Sequence, residues 1–434
     1  MPKSLANTVS RLSASLVLFC VSFAALAELQ DIRTLPLLQN GAENRWRLPA
    51  GTYQGQFVID QPIHLHCDQG AGLDAQGQGH ALVIRVPGVS LEGCAIRNWG
   101  HNLTTMDSGI FIEPSGEGTE LKNNHLQGSG FGIWVDAAEA VSILENQIEG
   151  DQSLRSQDRG NGIHLYAVKN ARVIGNQIRH TRDGIYIDTS NGNHLENNLM
   201  EDLRYGVHYM FSHDNQVIGN TTRRTRTGYA LMQSRMLTVI GNKSEDDQNY
   251  GILMNYITYS TVQNNVVSRV TQGSTDDSMI IGGEGKALFI YNSLFNRIEG
   301  NHFQYSDIGI HLTAGSENNP ITGNAFVGNK HQVKYVATRL QEWSADGRGN
   351  YWSEYLGWDR NNDGVGDIPY EPNDNVDRLL WMYPQTRLLM HSPGIELLRW
   401  VQQAFPVIKS PGVKDSFPLM QIPTPSLTDR EQKP

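Results

Sequence analysis

A glycine-led phrase recurs along the middle of the chain at close to a 22-residue period, and that period leaves few folds open. It reads GIFIE from Gly109, GIWVD from Gly132, GIHLY from Gly162, GIYID from Gly184, GVHYM from Gly206, GYALM from Gly228, GILMN from Gly251 and GIHLT from Gly309. A degenerate copy, ALFIY, starts at Ala287. Each copy carries an asparagine 14 or 15 positions later: Asn124, Asn146, Asn176, Asn198, Asn220, Asn242, Asn265, Asn301 and Asn324. A fixed period with a fixed internal offset marks stacked repeats, in which no unit buries its apolar face alone.

Within a unit the apolar residues alternate. In GIHLY, Ile163 and Leu165 point one way while His164 and Tyr166 point the other. A second short run follows (Arg172–Ile174), then Gly-Asn, then a third around Ile178. Three short strands and their turns in ~22 residues make one coil of a parallel β-helix, so the chain is expected to be all-β, a right-handed solenoid of roughly ten coils. The asparagines are assigned to a corner, where Asn tolerates the left-handed conformation and bonds its counterpart one coil away. The period stretches twice, around Asp151–Asp158 and across Thr271–Lys286. Insertions in a solenoid become loops, either binding elements or tolerated surface excursions.

The sequence divides into four stretches. Residues 1–27 read as a signal peptide: Lys3 and Arg11, an apolar run Leu12–Leu26, and Ala25-Leu26-Ala27 as the cleavage site. Residues 28–345 form the β-helix, 346–385 an acidic and aromatic cap, and 386–434 a docking helix with an extended or disordered tail. Removing the signal takes away Lys3 and Arg11 and no acidic residue, which lowers the net charge from −10 to −12. Such acidity argues against nucleic-acid binding. With no second apolar run long enough to span a bilayer, membrane contact is expected only through partners.

Cys67 and Cys94 lie 27 residues apart, a spacing that stacks them on adjacent coils. An exported protein can oxidise them to a disulfide, whereas the neighbouring His64 and His66 leave a soft metal site as the alternative.

Three further groups carry possible chemistry. Counted from the repeat glycine, His208 stands at +2 and Met210 and Met232 at +4, all outward, with the two methionines on neighbouring coils. An imidazole and two thioethers suit Cu(I); the alternative is methionines packed beneath a loop. His213 and Met236 follow at nearby corners, and Met254, at +3, belongs to the core. Asp359, Asn361, Asp363 and Asp367 match the start of a calcium loop but lack its closing Glu, so calcium competes with an ion-free Asp/Asn/Gly turn. Ser392 and Pro393 open a helix whose stripe is Ile395, Leu398, Val401 and Phe405, fit either to cap the solenoid or to dock on a partner.

Exported parallel β-helices also suggest carbohydrate lyases and epimerases, and Asp183, Asp188, Arg182 and Arg204 fall in adjacent coils. No Asp-Pro-His-Asp, Gly-His-Gly or Arg-Ile-Lys motif accompanies them, and no phosphate-binding Gly-x-x-x-x-Gly-Lys-Ser/Thr run is present. The residues by themselves leave an enzyme, a metal handler and a passive scaffold open.

Two segments are more specific. Gly349-Asn350-Tyr351-Trp352-Ser353-Glu354-Tyr355 and Asp363-Gly364-Val365-Gly366-Asp367-Ile368-Pro369-Tyr370 resemble the G-N-Y-W-S-x-Y and D-G-x-G-D-x-P-Y signatures of the NosD family, and the resemblance runs along the whole chain. It implies a periplasmic, non-enzymatic accessory protein of nitrous oxide reductase maturation. Such a protein works with an ABC-type permease and its ATPase, with a lipoprotein copper chaperone as a further partner, while the copper–sulfur site of the reductase is assembled. The resemblance brings no catalytic residues. It favours the Pro393–Phe405 helix as a contact to the permease and the His/Met group as a copper relay.

Overall fold

The computed structural model describes residues 29–424 apart from 42–43, 274–282, 314, 336–338, 374, 384, 386–391 and 405–411. The signal segment, most of the second insertion, Phe405 and the last ten residues therefore lie outside the described residues.

Three thirteen-stranded sheets run the length of the molecule, each coil contributing one strand to each. A coil is well seen in Asp183–Asp188, His194–Glu196 and Leu199–Glu201, which join the leading, middle and trailing sheets in turn. Neighbouring coils pair in parallel, as in Ile163↔Ile185↔Val207↔Tyr229. The architecture is the expected all-β parallel β-helix, with about thirteen turns rather than ten. Coils before Gly109 lack the Gly/Asn signature, and strands at His331–Tyr335 and Tyr351–Trp352 extend the stack beyond the last repeat.

The alternation places Ile163, Leu165, Ile185 and Ile187 in a continuous apolar core, while Tyr166 is exposed. The repeat glycine is not a turn residue; it lies inside the leading strand. A Cβ at Gly184 would sit 2.5 Å from Gly206 O and 2.8 Å from Met200 Cγ, so only glycine lets successive coils close.

The asparagines form the corner column, with one reversal. The left-handed residue is the one before each asparagine, such as Glu145 (φ 56°), Asn197 (φ 54°) or Gly219 (φ 65°). That leaves the asparagine side chain buried inside the corner. Asn198 donates through Nδ2 to Asn220 Oδ1 (2.9 Å), and Asn220 donates likewise to Asn242 (3.1 Å) and to Leu195 O (3.0 Å). The ladder runs on to Asn350, whose Oδ1 accepts from Asn324.

Both ends of the column are closed. At its base Cys67 and Cys94 are joined by a disulfide, and Cys94 N donates to Asn124 Oδ1 (3.0 Å). Their sulfurs are thereby removed from any metal site. His64 and His66 face outward, with His66 Nδ1 3.6 Å from Glu92. At the top the buried Asp415 carboxylate accepts from Asn350 N (2.7 Å), Trp352 Nε1 (2.7 Å) and Phe417 N (3.1 Å). Burial pushes the Asp415 pKa up, against the pull of those donors.

Asp415 belongs to the tail, which was expected to be extended or disordered. Its described part, 412–424, is extended and docked. Val413–Lys414 pairs with Gln341–Glu342, Leu419 bridges to Tyr351, and Pro423 O accepts from His302 Nε2 (2.8 Å). The anchoring is mostly by backbone and one carboxylate, which an apolar pattern does not reveal. Beneath it Phe326 and Trp352 stack at 4.2 Å, so the cap is an aromatic plug on the last coil.

Candidate functional site

The outer face of the leading sheet carries a column at repeat position +2. Trp134, His164, Tyr186, His208 and Ala230 are successive register partners. Their rings lie against one another, with centroids 3.9 Å apart for Trp134–His164, 4.6 Å for His164–Tyr186 and 4.3 Å for Tyr186–His208. Although the positions point outward, this packing leaves His164 and His208 only 6% and 7% exposed. Burial, chiefly, drives the His164 pKa down to about 3 against the pull of Asp183, so that ring is neutral at physiological pH.

Met210 and Met232, at +4, are direct register partners and half-buried. Strand geometry puts them on the same side of the sheet as His208, ~4.8 Å apart from coil to coil. Met254 is fully buried in the core, as its odd position requires. His213 is half-buried at the next corner and Met236 is exposed there.

His208 is held from behind. Its Nδ1 lies 2.9 Å from Asp183 Oδ2, and Arg204 donates through Nε (2.8 Å) and Nη2 (2.6 Å) to the same carboxylate. Burial raises the Asp183 pKa, but the hydrogen bonds from His208 and Arg204 and the positive charge of Arg204 outweigh it, so Asp183 stays below the usual carboxylate range. The other ring nitrogen, His208 Nε2, is buried with no partner among the described residues. His164 Nε2, Trp134 Nε1 and Arg182 Nε share that condition on the neighbouring coils. Buried polar atoms are nearly always paired, so such a local concentration marks a place that takes something else.

In the sequence Asp183 and Arg204 stand out only as members of a possible carbohydrate-enzyme set on adjacent coils, and the ring column does not stand out at all. Aligning the repeats at +2 exposes the ring column, whereas the Asp183–His208 contact spans 25 residues and needs the coil register.

Among the described residues no three His, Cys, Asp or Glu side chains gather as a metal-holding group. The acidic loop does not converge either: Asp359 accepts from Asp363 N and Gly364 N, Asp363 from Val365 N, and Asp367 from Arg360 N. Asn361 donates to Asp363 (2.8 Å). These bonds, the one from Val365 N to Asp363 being an Asx turn, close the loop on itself.

Among the described residues, α1 (Asn375–Met382), which the sequence reading missed, falls within the 346–385 stretch, and α2 (Pro393–Ala404) follows it. Along α2, Ile395 is buried, while Leu398 and Val401 are exposed together with Leu397 and Trp400. Tyr370 and Asp415 exchange backbone hydrogen bonds of 2.8 Å each way, so the stretch carrying α1 and α2 leaves the solenoid and returns at one point.

The fold defines the class first: a parallel β-helix of the kind found in many glycan-active and surface proteins. An alginate lyase aligns with a TM-score of 0.53 and 13% identity, covering 73% of this chain and 86% of that one. An α-1,3-glucanase from Streptomyces thermodiastaticus aligns at 0.51 and 13%, covering 73% and 68%. At such identity the likeness concerns the fold alone.

Sequence relatives are far closer. A family model described as "Periplasmic copper-binding protein (NosD)" matches residues 144–357. A Stutzerimonas stutzeri protein named "Probable ABC transporter binding protein NosD" is 66% identical over 429 residues, 98% of each chain. A Pseudomonas aeruginosa protein of the same name is 63% identical over 399 residues, 92% of this chain and 93% of that one. The chain belongs to the NosD family and is periplasmic.

Proposed function

We propose that this protein is a non-enzymatic accessory factor that receives Cu(I), or a sulfur species accompanying it, during assembly of the copper–sulfur site of nitrous oxide reductase. It does so docked on an ABC-type permease and its ATPase. The observation that carries the reading is the pairing of Met210 with Met232 on one face with a histidine whose Nε2 is buried and unpartnered. Two thioethers and a neutral imidazole are a soft set that suits Cu(I) over Zn²⁺ or Mg²⁺. Copper here is cargo, and the half-buried methionines on an open sheet face suit its arrival and departure.

Partner docking has two supports. One is the exposed apolar face of α2 on its excursion, for which the permease is the proposed contact. The other lies at the corner after the leading sheet. Phe211, Met236, Tyr256, Tyr259 and Phe295 are exposed and adopt φ between 50° and 59°. Bulky side chains in the left-handed region cost about 1–2 kcal/mol each, and lower coils put Ala137, Ala167 and Gly192 at such corners. Folding does not ask for this surface; a protein partner covering it, the copper chaperone or the reductase, would. Phe211 adjoins Met210, so the same partner would meet the methionines.

The test is anaerobic titration of Cu(I) against a competing chelator, with residues 28–434 of the wild type and of Met210→Ile/Met232→Ile. Stoichiometric binding by the wild type that weakens at least tenfold in the double variant is expected. Equal affinity in the two proteins would remove this site.

A further inference from the structure

The geometry assigns Asp183 and Arg204 a role at this face: they fix the tautomer of His208 so that its Nε2 presents a bare lone pair to the metal. The inference rests on the copper reading above and adds to it the residues that make one ligand competent.

A neutral imidazole has one N–H and one lone pair, and the partner of one nitrogen decides which the other keeps. Next to an ionised carboxylate, which only accepts, His208 Nδ1 must be the N–H. Asp183 is kept ionised at full burial by the two-pronged bond from Arg204. Nε2 is then an acceptor, and it is the atom that finds no donor among the described residues. The ring cannot swing away to satisfy it. It is stacked on Tyr186 at an interplanar angle of 10° and flanked edge-on by Tyr205, 5.0 Å away. A carboxylate behind a histidine with the far nitrogen free is the arrangement that orients metal-binding imidazoles and raises their basicity.

His164 supplies an internal contrast. It occupies the same repeat position two coils earlier, but its Nδ1 lies 3.1 Å from the side-chain amide of Asn161. A neutral amide can turn either end to the ring, so it does not fix the His164 tautomer as a carboxylate does.

The decisive variant is Asp183→Asn. Arg204 Nη2 and His208 Nδ1 share Asp183 Oδ2, while Arg204 Nε takes Oδ1. Asparagine has no charge and one oxygen fewer, so one Arg204 bond is lost; with the oxygen on Nε, the new NH₂ faces His208 Nδ1, which then accepts and leaves the proton on Nε2. The variant keeps the shape and withdraws the charge that holds Nδ1 as the N–H.

Histidine-selective ¹⁵N NMR, with the His208 signal assigned from the His208→Gln variant, reads this without metal. The wild type should show the Nδ1–H form and Asp183→Asn a clear gain of the Nε2–H form. Cu(I) titration should then show binding 10–100-fold weaker in Asp183→Asn, with circular dichroism unchanged. A wild-type His208 with Nε2 protonated would overturn the assignment outright, even if Asp183→Asn failed to fold. Wild-type copper binding that persists undiminished in a folded Asp183→Asn would remove the role of Asp183 and leave the copper reading standing. A wild type with the expected tautomer that binds no copper would bring down the copper reading, and this role with it.

Discussion

The inner corner column and the outer face of the leading sheet are built from the same coils at the same spacing, yet they treat polar atoms in opposite ways. In the column, each amide of the asparagine ladder is bonded to a neighbour above and a carbonyl below, with the disulfide at one end and Asp415 at the other. On the face, His208 Nε2, His164 Nε2, Trp134 Nε1 and Arg182 Nε are buried without partners among the described residues. The column is saturated and serves stability; the face leaves bonds unmade, as the proposed binding role requires. Substitutions should therefore dissociate the two.

The largest effect is expected in the middle of the ladder. Asn220→Ala strands Asn198 N–H and Leu195 O in the core and leaves the Asn198 amide only its bond to Val173 O. At about 1–3 kcal/mol for each of the two stranded groups, the loss should reach about 2–6 kcal/mol. Denaturant unfolding measures it, and copper affinity of the folded fraction should not move. A loss below 1 kcal/mol would mean that the ladder is decorative.

Asp247 tests the interior from the other side. It is buried against Thr222, Thr225 and Ser244, and burial pushes its pKa up to about 6 despite their hydrogen bonds. A carboxyl with a higher pKa folded than unfolded binds its proton more tightly in the native state. Its stabilising contribution is therefore complete below about 4 and lost as pH rises through about 6. Asp247→Asn should abolish that dependence, making the variant up to about 3 kcal/mol more stable than wild type at pH 8. The difference should vanish near pH 4. A constant difference across that range would contradict the shifted pKa.

Asp415→Asn comes next. One oxygen can still serve Asn350 N and Trp352 Nε1, but the amide then points a donor at Phe417 N–H. A loss of about 1–2 kcal/mol is expected, together with faster proteolysis of the tail, because the strap over the last coil is what Asp415 pins.

The contrast also explains which features could be read from sequence. Stacking forces a period, and the period with its Gly/Asn offset and alternating apolar residues revealed the solenoid. The column was traced from Asn124 to Asn324 because those residues recur. Its continuation was not legible: Asn350 stands 26 residues on, and Asp415 reaches it from 65 residues away. The GNYW signature finds its reason there, since Gly349 leaves room for the Asp415 carboxylate, Asn350 is the last rung, and Trp352 donates to Asp415. On the face, parity alone put Met210 beside Met232. The burial of His208 was not legible, because it depends on Tyr186 and Asp183 arriving from the coil before.

The smallest expected effect has the opposite sign. Phe211 holds φ at 50° while 53% exposed, a conformation that asparagine takes more readily. Phe211→Asn should stabilise the protein by about 1 kcal/mol, seen as a rise in Tm, because it relieves backbone strain and gives up little buried surface. If the corner is a docking surface, the same variant should be captured less well by the ABC complex with its chaperone. Trading partner affinity for stability is the behaviour of a residue kept for function. A variant that gains stability and loses no partner binding would confine the binding role to the sheet face, and one that loses stability would show that Phe211 belongs with the column after all.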